Sequence, residues 1–285
     1  MKLFIDSADI DEIKQAYAWG VCDGITTNPS LLRKAVEKRQ QKGETLDIKA
    51  YLQQILKVAK GTPVSLEVTE TNAAGMIEQG KRLYALFNPV AHNVYIKIPI
   101  NPAFKNEDVT HFDGILAIKA LAKMKIPVNC TLIFTPEQAL LAAKAGAKMV
   151  SPFAGRVDDY LRVFQGFKFD KTEYYPASGR MGKDGIFNDN GIISGIDLVR
   201  QCVQILKNYN YKTQVLAASL RNPRQVREAA LVGAHIGTLP LEVIKEMLKH
   251  YKTYEGMENF TTDIVQEYAG LTENKKGLKL EKYLS

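Results

Sequence analysis

Short apolar runs rich in β-branched residues recur along the 285 residues, separated by longer segments whose apolar positions fall three and four apart. The first kind covers residues 2–6, 24–27, 64–68, 94–98, 128–134, 148–153, 214–219 and 235–238. Near-continuous apolar runs of this length are typical of strands buried on both faces. The intervening segments have helical spacing. In 48–60, Ile48, Tyr51, Leu52, Ile55, Leu56 and Ala59 form one stripe. In 135–145, Thr135 suits a helix cap, Pro136 and Glu137 suit a first turn, and Gly146 suits a left-handed terminus. Residues 197–209 and 241–251 read the same way, the latter after Pro240. Strand followed by helix, eight times over, predicts a parallel sheet of the α/β class. Eight such units predict a closed (β/α)8 TIM barrel in a single domain.

Two stretches depart from this repeat. The barrel is expected over 1–256, with an insertion at about 168–191 ahead of the sixth helix. That insertion is rich in Gly, Tyr, Asp and Lys and has no helical stripe. Residues 257–285 read as a C-terminal helix and a polar, lysine-bearing tail, exposed or docked on a neighbour, and a homo-oligomer is expected.

Composition narrows the class of function. Hydrophobic residues make up 46% and charged residues 24%, which argues against disorder as the main state. The formal charge of +7 suits anionic metabolites but is too dilute to argue for nucleic acid. Segment 33–60 holds eight Lys and Arg against three acids without an interleaved aromatic platform, so it reads as a solvated helix face. Three widely spaced cysteines fit a reducing compartment, and a cytoplasmic location is expected. No apolar run reaches membrane-spanning length, and MKLFIDSADI lacks the features of a signal peptide. The four histidines show no ligand spacing, no GxGxxG follows a strand, and no GxSxG elbow is present. The nearest phosphate-loop candidate, SGRMGKDG at 178–185, lacks the Ser or Thr after Gly-Lys and reads as a surface loop. Neither metal nor cofactor is expected.

Polar residues interrupt the strands at informative places. In V-Y-I-K-I-P, residues 94–99, Lys97 stands in a run that a barrel buries on both sides. An ammonium is costly to bury, and an amine that sheds its proton there is a nucleophile. Strand side chains alternate, so residues two apart share a face. Asp6 ends the first strand; Ser65 and Glu67 share a face of the third, and Asn129 and Thr131 a face of the fifth. Ser151 and Phe153 share a face of the sixth, with Arg156 just beyond, and Ser219 and Arg221 follow the same pattern on the seventh. Each alone could be a satisfied structural group. Together they crowd the carboxyl ends of the strands, where barrels of this kind carry their active sites.

Six blocks in order then carry a family resemblance. They are Asp6, Thr26-Thr27-Asn28-Pro29-Ser30-Leu31, Ile96-Lys97-Ile98-Pro99, Asn129-Cys130-Thr131-Leu132-Ile133-Phe134, Ser151-Pro152-Phe153-Ala154-Gly155-Arg156 and Ala217-Ala218-Ser219-Leu220-Arg221. From Met1 to about Lys249 the chain resembles the transaldolase family. That family includes true transaldolases and fructose-6-phosphate aldolases. In the aldolases the acid on the third strand is glutamine and the aromatic of the SPF block is tyrosine. Here those positions are Glu67 and Phe153, and both resemble the transaldolase side.

The resemblance implies transfer of a dihydroxyacetone unit between sugar phosphates, in the non-oxidative pentose phosphate pathway. The donor would be sedoheptulose 7-phosphate or fructose 6-phosphate, and the acceptor glyceraldehyde 3-phosphate or erythrose 4-phosphate. Lys97 would form the Schiff base and Asp6 would exchange the C4 hydroxyl proton. Glu67 and Thr131 would manage water. Asn28 and Asn129 would hold hydroxyls and the lysine, with Ser151 and Phe153 beside them. Arg156, Ser219 and Arg221 would bind the phosphate. The alternative is an aldolase that releases free dihydroxyacetone.

Overall fold

The computed structural model describes residues 1–101, 111–183, 185–265, 268 and 270–271. In chain order its strands are β1 (Lys2–Asp6), β2 (Gly24–Thr26), β3 (Val64–Glu67), β4 (Val94–Pro99), β5 (Val128–Ile133), β6 (Met149–Pro152), β7 (Met181–Gly182), β8 (Gly185–Ile186), β9 (Gln214–Ala217) and β10 (Ile236–Leu239). Its helices are α1 (Ile10–Ala18), α2 (Pro29–Gln41), α3 (Ile48–Val58), α4 (Ala73–Ala91), α5 (Asp113–Lys123), α6 (Pro136–Ala145), α7 (Ala154–Phe164), α8 (Gly195–Asn208), α9 (Pro223–Leu231), α10 (Leu241–Glu246) and α11 (Tyr251–Thr262). All strands except β7 and β8 join one closed parallel barrel, in the order β1-β2-β3-β4-β5-β6-β9-β10. This is a (β/α)8 barrel, and its strands coincide with the eight apolar runs of the sequence.

Strand alternation sorts the side chains into two populations. Those facing the helices, such as Ile5, Ile25, Leu66, Ile96, Ile98, Cys130, Val150 and Val215, merge with the helix stripes into the main core. Burying each large one contributes about 1.5–3 kcal/mol. The alternate positions face the barrel interior. Near the amino ends of the strands Phe4, Met149, Leu216 and Ile236 form a separate small cluster, with Tyr95 packed against it. Gly24 leaves room for this plug, because a Cβ there would stand 2.5 Å from the Phe4 ring.

Local signals set the helix boundaries. Thr135 and Gln138 form a reciprocal capping box on α6, which ends on Gly146 in a left-handed conformation. Asn28, Asn72 and Asn222 cap α2, α4 and α9 with their side-chain oxygens.

Two stretches differ from the pattern reading. The helix expected over 241–251 splits into α10 and α11. The His250 side chain accepts from Lys252 N and starts a new helix, which runs through the boundary expected at 256. Residues 272–285 of the expected tail lie outside the described residues. The 168–191 stretch holds the antiparallel β7–β8 pair, and it is fastened to the barrel: Tyr175 is fully buried, with the Arg162 and Arg180 guanidiniums over its ring. Of the loop read at 178–185, Met181 and Gly182 pair with Ile186 and Gly185. No helix among the described residues is long and apolar enough to cross a membrane.

Candidate active site

Two residues beyond the apolar plug on the same strands, the interior turns polar. Phe4 is followed by Asp6, Tyr95 by Lys97, Met149 by Ser151 and Ile236 by Thr238. The barrel register sets Glu67, Lys97 and Asn129 side by side on β3, β4 and β5. Lys97 is 5% exposed. Its Nζ lies 3.0 Å from Glu67 Oε2 and donates to the Thr27 carbonyl at 3.1 Å. Glu67 Oε2 makes no aligned hydrogen bond among the described residues, so the attraction between this pair is mainly Coulombic. The buried amine therefore has a countercharge, which offsets the cost of burying it.

Asp6 occupies the neighbouring sector. Thr26 Oγ1 donates to Asp6 Oδ1 at 2.7 Å and lies 2.5 Å from Thr238 Oγ1. Burial raises the Asp6 carboxyl above its ordinary value, while Lys97, the Thr26 hydroxyl and Arg156 pull the other way. A carboxyl raised toward neutrality exchanges protons more readily at physiological pH. Asn129 is fully buried; it donates to Ser65 Oγ at 3.1 Å and accepts from Ser151 Oγ at 2.7 Å. With both ends of the amide engaged, its orientation is fixed. Just beyond it, β5 shifts register between Cys130 and Ile133, and Leu132 adopts φ 58°. The adjacent Thr131 Oγ1 is buried with no hydrogen-bond partner among the described residues. Backbone strain and an unpaired hydroxyl together mark this bulge as a place where a ligand or water could be met.

An open cavity at this end is lined by Asp6, Thr26, Asn28, Lys97, Ser151, Phe153, Arg156, Ser219 and Thr238, among others. Asn28 spends its side-chain oxygen on the Leu31 amide, which leaves its NH2 end for a ligand. Phe153 closes one wall, with the Arg156 guanidinium 4.8 Å from its ring centre. The chain leaves β6 directly into α7 there, and Gly155 packs against the Ser219 backbone, where a Cβ would meet the carbonyl oxygen at 2.2 Å.

Residues 3–282 match the family described as transaldolase/fructose-6-phosphate aldolase. The chain belongs to that family. It is 39% identical to a probable transaldolase of Thermoplasma acidophilum over 92% of its own length and 95% of that relative. It is 41% identical to a probable transaldolase of Chlorobaculum parvum over 92% of this chain and 97% of that one. A probable transaldolase of Nitrosopumilus maritimus is 40% identical over 92% of this chain and 94% of that one. Among solved structures, a mandelate oxidase variant superposes with a TM-score of 0.45 at 12% identity, covering 85% of this chain and 65% of that one, too distant to carry an argument. The protein is an enzyme of the transaldolase class.

Within this family member the site residues read from sequence fall into two groups. Asp6, Asn28, Lys97, Ser151, Phe153, Arg156 and Ser219 line the cavity. Glu67, Asn129, Thr131 and Arg221 do not line it. Glu67 and Asn129 contact lining residues from behind, whereas both terminal nitrogens of Arg221 bond to Asp159. Thr26 and Thr238 line the cavity but were not singled out from sequence. Their signal was parity, since each stands two positions beyond an interior residue at the plug level, Gly24 and Ile236.

Proposed function

We propose that this enzyme is a transaldolase acting on sugar phosphates through a Schiff base on Lys97. The observation that carries the reading is Lys97 itself, an almost fully buried amine set against Glu67 with its tip open to a cavity that also holds Asp6. Amines so placed serve as nucleophiles toward carbonyl carbon.

The Lys97 amine, after passing its proton to Glu67 directly or through water, attacks C2 of a ketose phosphate. Loss of water from the adduct leaves a protonated imine. The Asp6 carboxylate takes the C4 hydroxyl proton. The C3–C4 bond then breaks, its electron pair moving into the iminium, and an aldose phosphate departs. The dihydroxyacetone unit remains on Lys97 as an enamine. It attacks the carbonyl of an acceptor aldose phosphate, Asp6 returns the proton to the new hydroxyl, and water releases the product from Lys97. Glu67 and Thr131 hold that water. Asn28 and Asn129 orient hydroxyls and the lysine, next to Ser151. Arg156, Ser219 and Arg221 meet the phosphate, for which the arginine fork is suited. The donors are sedoheptulose 7-phosphate or fructose 6-phosphate. The acceptors are glyceraldehyde 3-phosphate or erythrose 4-phosphate, as in the non-oxidative pentose phosphate pathway. A cytoplasmic homo-oligomer belongs to the same reading.

Transfer is favoured over release by Phe153, which brings a ring and no hydroxyl to the cavity wall, and by the carboxylate of Glu67. Borohydride trapping with fructose 6-phosphate should leave a three-carbon adduct on the Lys97 peptide. An active enzyme labelled elsewhere overturns the mechanism. Free dihydroxyacetone should accumulate slowly until erythrose 4-phosphate is added, when rapid transfer begins. Release as fast as transfer makes the enzyme an aldolase.

A further inference from the structure

We propose that Asp159 is a positioning residue for phosphate recognition and that the 168–191 stretch works with it. The inference rests on the reading of Arg221 given above and assigns what aims its guanidinium.

A guanidinium has five N–H donors in one plane. In Arg221, Nη1 donates to Asp159 Oδ1 at 2.6 Å and Nη2 donates to Asp159 Oδ2 at 2.7 Å. Nη1 also donates to the Lys171 carbonyl at 3.3 Å. These three bonds commit both N–H groups of Nη1 and one of Nη2. The two that make no hydrogen bond among the described residues, Nε–H and the second N–H of Nη2, lie on the same edge of the fork. Such an edge has the spacing to grip two oxygens of a phosphate. Arg221 Nε is 3.0 Å from the point where a Cβ on Gly155 would stand, and Ser219 Oγ is 3.1 Å from that same point. The uncommitted edge therefore borders the Ser219 hydroxyl and the first turn of α7, one residue from Arg156.

The rest of Arg221 is fixed from its other side. Its backbone amide donates to Gln225 Oε1 at 2.8 Å, and Gln225 Nε2 donates to Asp158 Oδ2 at 2.7 Å. The 168–191 stretch supplies the carbonyls of Lys171 and Thr172 to Arg221 and Asn222. Arg162 Nη1 stands 3.8 Å from Asp159 Oδ1, so the carboxylate lies between two cations and repels an incoming phosphate less than it would alone. Without Asp159, the long flexible stem of Arg221 would let the fork turn away from the cavity.

The test measures half-saturation of borohydride-trapped imine with fructose 6-phosphate and with unphosphorylated dihydroxyacetone. The variants are Asp159→Asn, Asp159→Ser, Asp159→Glu, Arg221→Ala and the double variant Asp159→Asn/Arg221→Ala. Asp159→Asn and Asp159→Ser should each raise the fructose 6-phosphate value about tenfold more than the dihydroxyacetone value. Asp159→Glu should recover part of that loss. In the Arg221→Ala background, Asp159→Asn should add nothing. Equal effects on both sugars, or a further selective loss in the double variant, overturn the inference. If Arg221→Ala is selective and neither the Asn nor the Ser variant is, this inference fails while the parent reading stands. If Arg221→Ala is not selective, the phosphate reading of Arg221 fails and this inference falls with it.

Discussion

Phe4 and Asp6 lie two residues apart on β1 and point into the same barrel, yet they belong to regions with opposite physical character. At the level of Phe4 the interior is closed by Met149, Leu216 and Ile236. At the level of Asp6 it holds Lys97, Thr26, Ser151 and Thr238 around an open cavity. The first region is stable because water is excluded and no polar group is stranded. The second is costly by itself, since Lys97 is almost fully buried and Asp6 is partly withdrawn from solvent beside it. It persists because Lys97, Asp6 and Ser151 each have a partner one strand away, in Glu67, Thr26 and Asn129, and because the plug and outer core supply the stability. A barrel thus separates holding together from reacting along its own axis, with one strand serving both ends.

Making the polar end resemble the plug breaks the comparison most sharply. Lys97→Met should abolish turnover and trapped adduct. It also leaves the Glu67 carboxylate buried without its cation, a change that typically costs about 3–5 kcal/mol. Adding Glu67→Gln should restore most of that stability while activity stays absent. Thermal denaturation of both variants checks this; a double variant no more stable than the single one would mean the pair does not carry the cost. Asp6→Ala should slow carbon–carbon cleavage on the order of 10²–10⁴-fold while leaving imine formation, read by borohydride trapping, in place. Near-normal cleavage in that variant would send the proton elsewhere.

A change in the plug should have the reverse profile. Phe4→Ala should lower stability by about 3–5 kcal/mol, measured by denaturant unfolding, while the turnover of the folded fraction changes little. A larger loss in turnover than in stability would show that the two regions are coupled. The smallest effect concerns pH. Asp6 acts as a carboxylate, and burial raises its titration above the ordinary value of 3.8. Cleavage should therefore fall with decreasing pH at higher pH than an ordinary aspartate would allow. Arg156 favours the charged form. Arg156→Ala should thus move the acid limb upward, as pH–rate profiles would show, and a downward move would contradict the electrostatic account.

The sequence by itself determined the barrel. Eight apolar runs alternating with helical stripes leave few other arrangements, because each strand must be covered on both faces. It also marked Lys97 and Asp6, since charges in such runs violate the pattern that buries them. The six matched blocks marked Asn28, Phe153 and Arg156 before any distance was known. Tertiary structure decided what spacing along the chain cannot encode. The partner of Lys97 is Glu67 because β3 and β4 pair in that register, 30 positions apart. Thr26 and Thr238 join the site because the barrel closes β1 between β2 and β10. Arg221 meets Asp159 across 62 positions, and the 168–191 stretch, featureless as a pattern, gains an anchor from Arg162 of α7, which stands over the Tyr175 ring and donates to the Glu173 carbonyl. Hydrophobic periodicity reports which face of an element is buried; closure of the sheet and pairing of neighbours decide which buried polar groups meet.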